Sequence, residues 1–337
     1  MVEPDALAEA LREALSAPLL TIPSPPVALA GGFSRVMLRV PIEQAPGGLP
    51  AEVVVRILPD VAARDREVAF QATLARHGFD TIDVLATGDG NSRIGPFTVM
   101  PFVTGRPFVD LENRRDMLGA FRRVPGQLAE TMLALHAVDP MLVRQGFGAT
   151  IRAPDLDAIL DEVASATIRS GDGELIAAFD RLASSRPDSD TPAGNQPTRN
   201  EVVCHGDLHP ANLFVRADGA VLLLDWELAI LGPAEFDLAR TVLVLELLPA
   251  IAAAARPLLT VFGRRTAAAF LATYRSGSPY DPERLAWCRA VSALRLLTVV
   301  LGLQRGTPVA RNWAPTRRQL RRIALESPTS VRSLRWG

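Results

Sequence analysis

Residues Cys204 to Phe214 read CHGDLHPANLF and set two histidines, an aspartate and an asparagine close together in a chain otherwise dominated by apolar residues and arginines. Shortly after, LLLDWE ends another apolar run in a carboxylate, Asp225. The stretch EVVCHGD has the β-branched character of a short strand that ends at His205 and Gly206, and Pro210 keeps the next turn from becoming a helix. Asp207 and Asn212 then share one tight loop. VLLLDWE predicts the next strand, ending at Asp225, and a hairpin through RADGA would bring Asp225 beside the Asp207 loop. Two carboxylates and one amide oxygen converging would form an oxygen set of the kind Mg²⁺ prefers. With one carboxylate left to accept a proton, the set suits phosphoryl transfer from a nucleotide.

The histidines admit another chemistry. His205 and His209 have H-x₃-H spacing, which on a helix would suit zinc. Gly206 and Pro210 make a helix there unfavourable and no H-E pair is present, so His205 reads as a structural histidine of the loop and His209 as an orienter or spectator. His136, in LHAVD, reads as a core residue.

The surrounding chain supplies elements to hold such a loop. At 337 residues it is long enough for two domains or one large two-lobed one. A hydrophobic fraction of 48% with net charge −1 is a soluble globular balance that implies neither a nucleic-acid nor a membrane partner. The N-terminus lacks a basic n-region, and its Ala and Leu at 6, 7, 10, 11, 14 and 15 predict an amphipathic helix and not a signal peptide. VLVLELLPAIAAAARPLLTVF is interrupted by Glu246, Pro249 and Arg256, and VSALRLLTVVLGL is too short to span a bilayer, so both read as buried helices. Cys204 and Cys288 are isolated, which fits reduced cytosolic thiols and a cytoplasmic location. No lysine occurs: all 36 basic residues are arginine, so no catalytic role can fall to lysine. VALAGGFSRVMLRVPI, AEVVVRILP and PFTVMPFV read as strands, with a helical stretch from Asp60 ending near Gly78. From about residue 111 helical periodicity dominates, apart from a short strand pair around 202–225. The layout is a small β-rich lobe over 1–103, with the N-terminal helix, and a larger helical lobe over 104–337 carrying the loop.

H-G-D-x-x-x-x-N followed by L-D-W resembles the aminoglycoside phosphotransferase and choline kinase family, from about Leu29 to Asp237. The resemblance implies an α+β, two-lobed protein-kinase-like fold, with nucleotide binding in the first lobe and the substrate site in the second, ATP or GTP as cosubstrate and Mg²⁺ as cofactor. It makes Asp207 the catalytic base, Asn212 and Asp225 the metal ligands, and Asp237 of GPAEFDLA a buried brace of the catalytic loop beside His205. In the first lobe, Gly31, Gly32 and Ser34 of AGGFSR would cover the phosphates with backbone N–H groups. Arg56 stands where the family has its strand lysine, with Glu67 as ion-pair partner, and Met100, Phe102 and Val103 of VMPFV form the hinge whose backbone would pair with the adenine edge. An arginine there is always charged and can bridge two oxygens, but it is bulkier and planar.

The leading function is therefore a small-molecule O-kinase. A pseudokinase-like binding module would not need the full Asp207, Asn212 and Asp225 set. A protein kinase is disfavoured because HGD lacks the arginine of HRD, and too few residues separate Trp226 from Glu235 for an activation loop. For the substrate two segments disagree. Residues 151–190 hold nine Asp or Glu against four Arg, an amine-binding wall in an aminoglycoside phosphotransferase, whereas from Arg284 onward eleven Arg face Glu326 alone. The second segment would repel a polycation, so the expected acceptor is a neutral or at most singly cationic hydroxyl compound such as a macrolide, nucleoside or sugar, with a true aminoglycoside as the alternative.

Overall fold

The structure is a computed structural model, and it describes residues 3–29, 36–90, 93–109, 114–147, 152–187, 201–252, 257–304 and 314–326. The chain divides into two compact units: Met1–Pro107 with Gln145–Ile151 and Phe214–Glu227, and Phe108–Arg144 with Arg152–Leu213 and Leu228–Gly337.

The first unit begins with helix α1 (Pro4–Ala14), whose Ala6, Leu7, Ala10 and Leu11 are buried as the periodicity predicts. Strands β1 (Val27–Ala28), β2 (Val36–Pro41), β3 (Glu52–Ile57), β4 (Ala86–Gly88) and β5 (Phe97–Pro101) form one antiparallel sheet in the order β1-β2-β3-β5-β4. Side chains alternate across a strand, so Val53 and Val55 of β3 join Val40, Val99 and the apolar face of α1 in one core. The opposite face of β3 carries Val54 and Arg56, and these too are buried. Helix α2 (Val61–Arg76) starts on an Asp60 cap that accepts from Ala63 N at 2.7 Å, and Gly78, at φ +81°, follows its end. Its apolar pattern is faint because Phe70 and Leu74 are buried and so are Arg64, Glu67 and Gln71. Strand β6 (Gly105–Pro107) completes the N-terminal stretch of this unit.

The second unit is mainly helical: α3 (Arg114–His136), α4 (Pro140–Gly146, its last two residues counted with the first unit), α5 (Leu156–Ser170) and α6 (Gly173–Ser184) precede the loop region, and α7 (Ala234–Ala252), α8 (Pro257–Gly277), α9 (Pro282–Gln304) and α10 (Ala314–Leu325) follow it. The first greasy run is divided between the end of α7 and the start of α8, with 253–256 outside the described residues, and the second lies on α9. α9 is longer than its apolar core suggested: Pro282–Gly302 has the length and composition to cross a membrane, yet 61% of its most apolar window is buried within the protein. Buried Glu246 of α7 is neutralised by Arg289 of α9 at 2.6 Å.

The strand pair expected around 202–225 is instead parts of two sheets. β7 (Glu201–Cys204) pairs antiparallel with β10 (Ile230–Pro233) in the second unit. The hairpin through Ala217–Ala220 joins β8 (Leu213–Arg216) to β9 (Val221–Leu223), and β6 pairs with β8. A 3₁₀ turn at Pro210–Asn212 separates β7 from β8, and the short apolar run ILGP fills the vacant edge of β7. Alternation in a sequence specifies a strand but not its partner.

Candidate active site

In the first unit the centre is Arg56. Register sets Arg56 opposite Thr98 of β5, on the face away from α1. Its Nη1 lies 3.1 Å from Glu67 Oε1 of α2, its Nη2 2.8 Å from Asp225 Oδ1 and 3.8 Å from Glu227 Oε2. Burial opposes the charge on Arg56, but Glu67, then Asp225 and Glu227, outweigh it and raise its pKa. One guanidinium among three carboxylates leaves the cluster with net negative charge, a setting that favours a further cation. Asp225 adopts φ +70°, the left-handed region that asparagine and aspartate enter more readily than other non-glycine residues. Trp226, fully buried, pins that turn: its Nε1 donates to Thr81 Oγ1 at 2.8 Å, Thr81 Oγ1 donates to Leu223 O at 2.8 Å, and Phe79 meets the indole edge-on.

Of the expected hinge residues, Met100 lies on β5, and Phe102 and Val103 follow the strand's end. Met100 is buried, its Sδ taking a 3.3 Å contact from Gln71 Nε2. Phe102 donates its N–H to Glu52 O at 3.1 Å, and its ring lies under the Arg39 guanidinium at 4.1 Å. The Phe102 N–H is therefore taken, and Val103 N–H is the donor without a partner among the described residues. Gly31, Gly32 and Ser34 lie outside the described residues.

In the second unit β7 delivers His205 and Gly206 to the start of the loop. Gly206 has φ +75°, and a Cβ there would stand 2.1 Å from Leu228 O, so only glycine fits. The buried Asp237 carboxylate accepts from His205 N and Gly206 N, each at 2.8 Å. His136 Nε2 approaches Asp237 Oδ2 at 3.3 Å while its Nδ1 lies 2.8 Å from the Tyr274 hydroxyl, so this core histidine ties α3 and α8 to the loop's brace. Burial drives the Tyr274 phenol up to about 12, so it stays protonated and able to donate. His136, Cys204 and Asp237 sit close enough to hold a metal, but Asp237 and both nitrogens of His136 are already occupied by these bonds.

Asp207 follows, its N–H donating to His205 Nδ1 at 3.3 Å. Its Oδ1 accepts from Arg240 Nη2 at 2.9 Å and Nε at 3.0 Å, while His209 Nε2 stands 3.5 Å from Oδ2. Burial opposes ionisation of Asp207, but Arg240, His209 and His205 overcome it and hold the carboxyl well below the usual range. Asn212 donates its amide N–H to Asp207 O at 2.9 Å, and among the described residues its Oδ1 is an uncommitted oxygen. The Asp207 carboxylate and the Asn212 amide thus belong to the second unit, and Asp225, Arg56 and Glu67 to the first. Sequence reading passed over Arg240 and Thr241; their signal was spacing, since on a helix positions three and four beyond Asp237 share its face.

A search of curated proteins finds no match. Among solved structures, a Ralstonia eutropha JMP134 protein provisionally assigned as an aminoglycoside phosphotransferase is 20% identical, with 99% of each chain covered and a TM-score of 0.65. Macrolide 2'-phosphotransferase type I is 19% identical over 95% of this chain and 98% of its own, with a TM-score of 0.55. The GDP complex of an aminoglycoside 2'-phosphotransferase-IIIa variant is 16% identical, with 99% of both chains covered and a TM-score of 0.54. At these identities the likeness establishes the fold, which is protein-kinase-like. A family model described as the phosphotransferase enzyme family matches residues 28–288, a span that takes in both the Arg56 cluster and the Asp207 loop. The matched span covers more than half of the chain, and the chain therefore belongs to the phosphotransferase enzyme family.

Proposed function

We propose that the protein transfers the γ-phosphate of ATP or GTP to a hydroxyl of a small molecule, with Asp207 as base and Mg²⁺ held by Asn212 and Asp225. The observation that carries this reading is the loop itself: a left-handed Gly206 locked by Asp237, followed by an ionised Asp207 and an Asn212 whose amide oxygen is uncommitted. The acceptor oxygen bonds to the γ-phosphorus as the bond to the β–γ bridging oxygen breaks. The nucleoside diphosphate leaves with that electron pair, and the hydroxyl proton passes to Asp207. Oxygen donors are the set Mg²⁺ takes, and Mg²⁺ when bound neutralises charge on the phosphates. Arg56, kept charged and ordered by Glu67, is the residue assigned to the phosphates. Val103 N–H is the hinge donor offered to the base, with Met100 on β5 and Phe102 just after the strand preceding it. For Gly31, Gly32 and Ser34 the role over the phosphates rests on the sequence. That a structure of this fold holds GDP supports keeping GTP beside ATP.

For the acceptor, the ion pairs of the second unit decide more than segment totals. In the acidic stretch, Asp155 and Asp157 pair with Arg152 and Arg186, Glu162 pairs with Arg295, and Asp172 and Glu174 pair with Arg321. Five of the nine acidic residues of the stretch are thus paired, three with arginines of the basic segment and two with arginines of the stretch itself. This pairing lowers the charge the stretch can offer a polycation, which supports a neutral or at most singly cationic acceptor, such as a sugar, nucleoside or macrolide, over an aminoglycoside. The test is Mg²⁺-dependent transfer from ATP and GTP to a panel of glucose, uridine, erythromycin and kanamycin. Transfer to kanamycin alone would overturn the acceptor class and leave the kinase standing, and absence of transfer to every hydroxyl compound and to water would overturn the whole reading.

A further inference from the structure

Helix α7 grips the loop at consecutive points. Asp237 takes the N–H groups of His205 and Gly206, Arg240 takes the Asp207 carboxylate, and Thr241 Oγ1 donates to Leu208 O at 2.8 Å. The three residues stand at i, i+3 and i+4, one above another on a single helix face. The face therefore fixes the loop in order, residues 205 to 208. Two of the three contacts hold backbone. The third holds the side chain that the proposed reaction uses, and does so on one oxygen only: both Nε and Nη2 of Arg240 close on Asp207 Oδ1.

We propose that Arg240 is a positioning residue for Asp207: by holding Oδ1 from two nitrogens it fixes the carboxylate plane and makes Oδ2 the oxygen that receives the acceptor's proton. The proposal rests on the reading of Asp207 as base. A carboxylate on a free χ2 rotor would spend only part of its time with either oxygen aimed at the acceptor, and misaiming a catalytic group by about 1 Å can cost ~10²-fold in rate. The two-pronged hold removes that freedom, and it needs a guanidinium, because a lysine ammonium is a single point that cannot fix a plane. Among the described residues the contact on Oδ2 is His209 at 3.5 Å, longer than a good hydrogen bond, so that oxygen is not tied down as Oδ1 is.

The test uses the full chain and hydrolysis of Mg·ATP or Mg·GTP, in which water is the acceptor. Arg240→Met is expected to lower kcat by ~10²-fold with the nucleotide KM within about twofold, the split that marks an effect on the chemical step alone. Arg240→Lys is expected to recover part of that loss. In an Asp207→Asn background Arg240→Met should cost nothing further, because a residue acting through Asp207 has nothing left to act on. Should Arg240→Met fold poorly, Arg240→Gln carries the same cycle with a side chain of similar reach. Wild-type turnover in Arg240→Met or Arg240→Gln, an equal loss in both backgrounds, or a loss confined to KM would overturn the proposal while leaving Asp207 as base. Full turnover in Asp207→Asn alone would overturn the functional reading, and the proposal with it.

Discussion

The two carboxylates singled out in the sequence, Asp207 and Asp225, are held in opposite ways. Asp225 sits in the first unit among like charges: it shares Arg56 with Glu67 and Glu227, its side chain is 36% exposed, and its backbone is in the left-handed region. Asp207 sits in the second unit among cations and N–H donors, with Arg240 and His209 on its carboxylate and a backbone braced by Asp237. The first arrangement is short of positive charge, and the second is nearly satisfied by the protein itself. A metal ligand needs the former, and a carboxylate held in one orientation has the latter, so the contrast in surroundings supports the different roles proposed for two residues of one type.

The hardest break of this contrast is Asp207→Ala. Removal of a general base should lower transfer by about 10²–10⁴-fold, with nucleotide binding near wild type in a fluorescent-nucleotide titration. For Asp225→Ala the same titration should lose its Mg²⁺ dependence together with turnover. If Asp207→Ala weakens nucleotide binding and Asp225→Ala does not, the two roles are assigned the wrong way round.

Stability sharpens the comparison next. Asp237→Ala strips two buried N–H groups of their acceptor, a cost on the order of 3–5 kcal/mol from groups that water cannot reach. Asp225→Gly should cost less than about 1 kcal/mol, because glycine takes a positive φ without the penalty other residues meet and so offsets part of the lost bond to Arg56. Denaturant titration of both variants reads the difference. Comparable losses would mean that Asp225 is as structural as Asp237. At Arg56 the effect is read on binding and not on stability: Arg56→Ala should raise the nucleotide KM roughly tenfold, about 1.4 kcal/mol of binding, and Arg56→Lys should keep substantial activity. A neutral Arg56→Ala would move phosphate binding to another arginine, such as Arg39.

What could be read from the sequence follows from range. The HGD loop, Asn212 and Asp225 were visible because each is set by residue type and short spacing, Arg56 only through the family resemblance, and α1 was visible because one face is apolar and the other is wet. Helix α2 carries a weaker signal, since its polar residues Arg64, Glu67 and Gln71 are buried against the sheet. The pairing of β7 with β10 was invisible, because β10 is only four residues long and carries Gly232 and Pro233. Arg240 escaped notice for a different reason: nothing about an arginine on a helix says which carboxylate it will meet until helix and loop are packed together.

Charge cancellation in the second unit gives the smallest expected effect. Arg321 lowers the pKa of Asp172 from its ordinary value, chiefly by direct hydrogen bonding, and the caps Asp172 provides to Leu175 N and Glu174 N act in the same direction. A carboxyl whose folded pKa is depressed stabilises the fold above its unfolded pKa, near ~3.9, and that contribution is lost as pH falls through the folded value. Arg321→Gln should therefore lower Tm at pH 7, and the gap from wild type should narrow as the buffer is taken below about pH 4. Because both side chains are about a third exposed, the gap should amount to no more than ~1 kcal/mol and shrink in high salt. A gap that is unchanged at low pH would mean that Arg321 acts through packing and not charge. The acidic stretch would then keep more free charge than its ion pairs imply, and a cationic acceptor would return as a candidate.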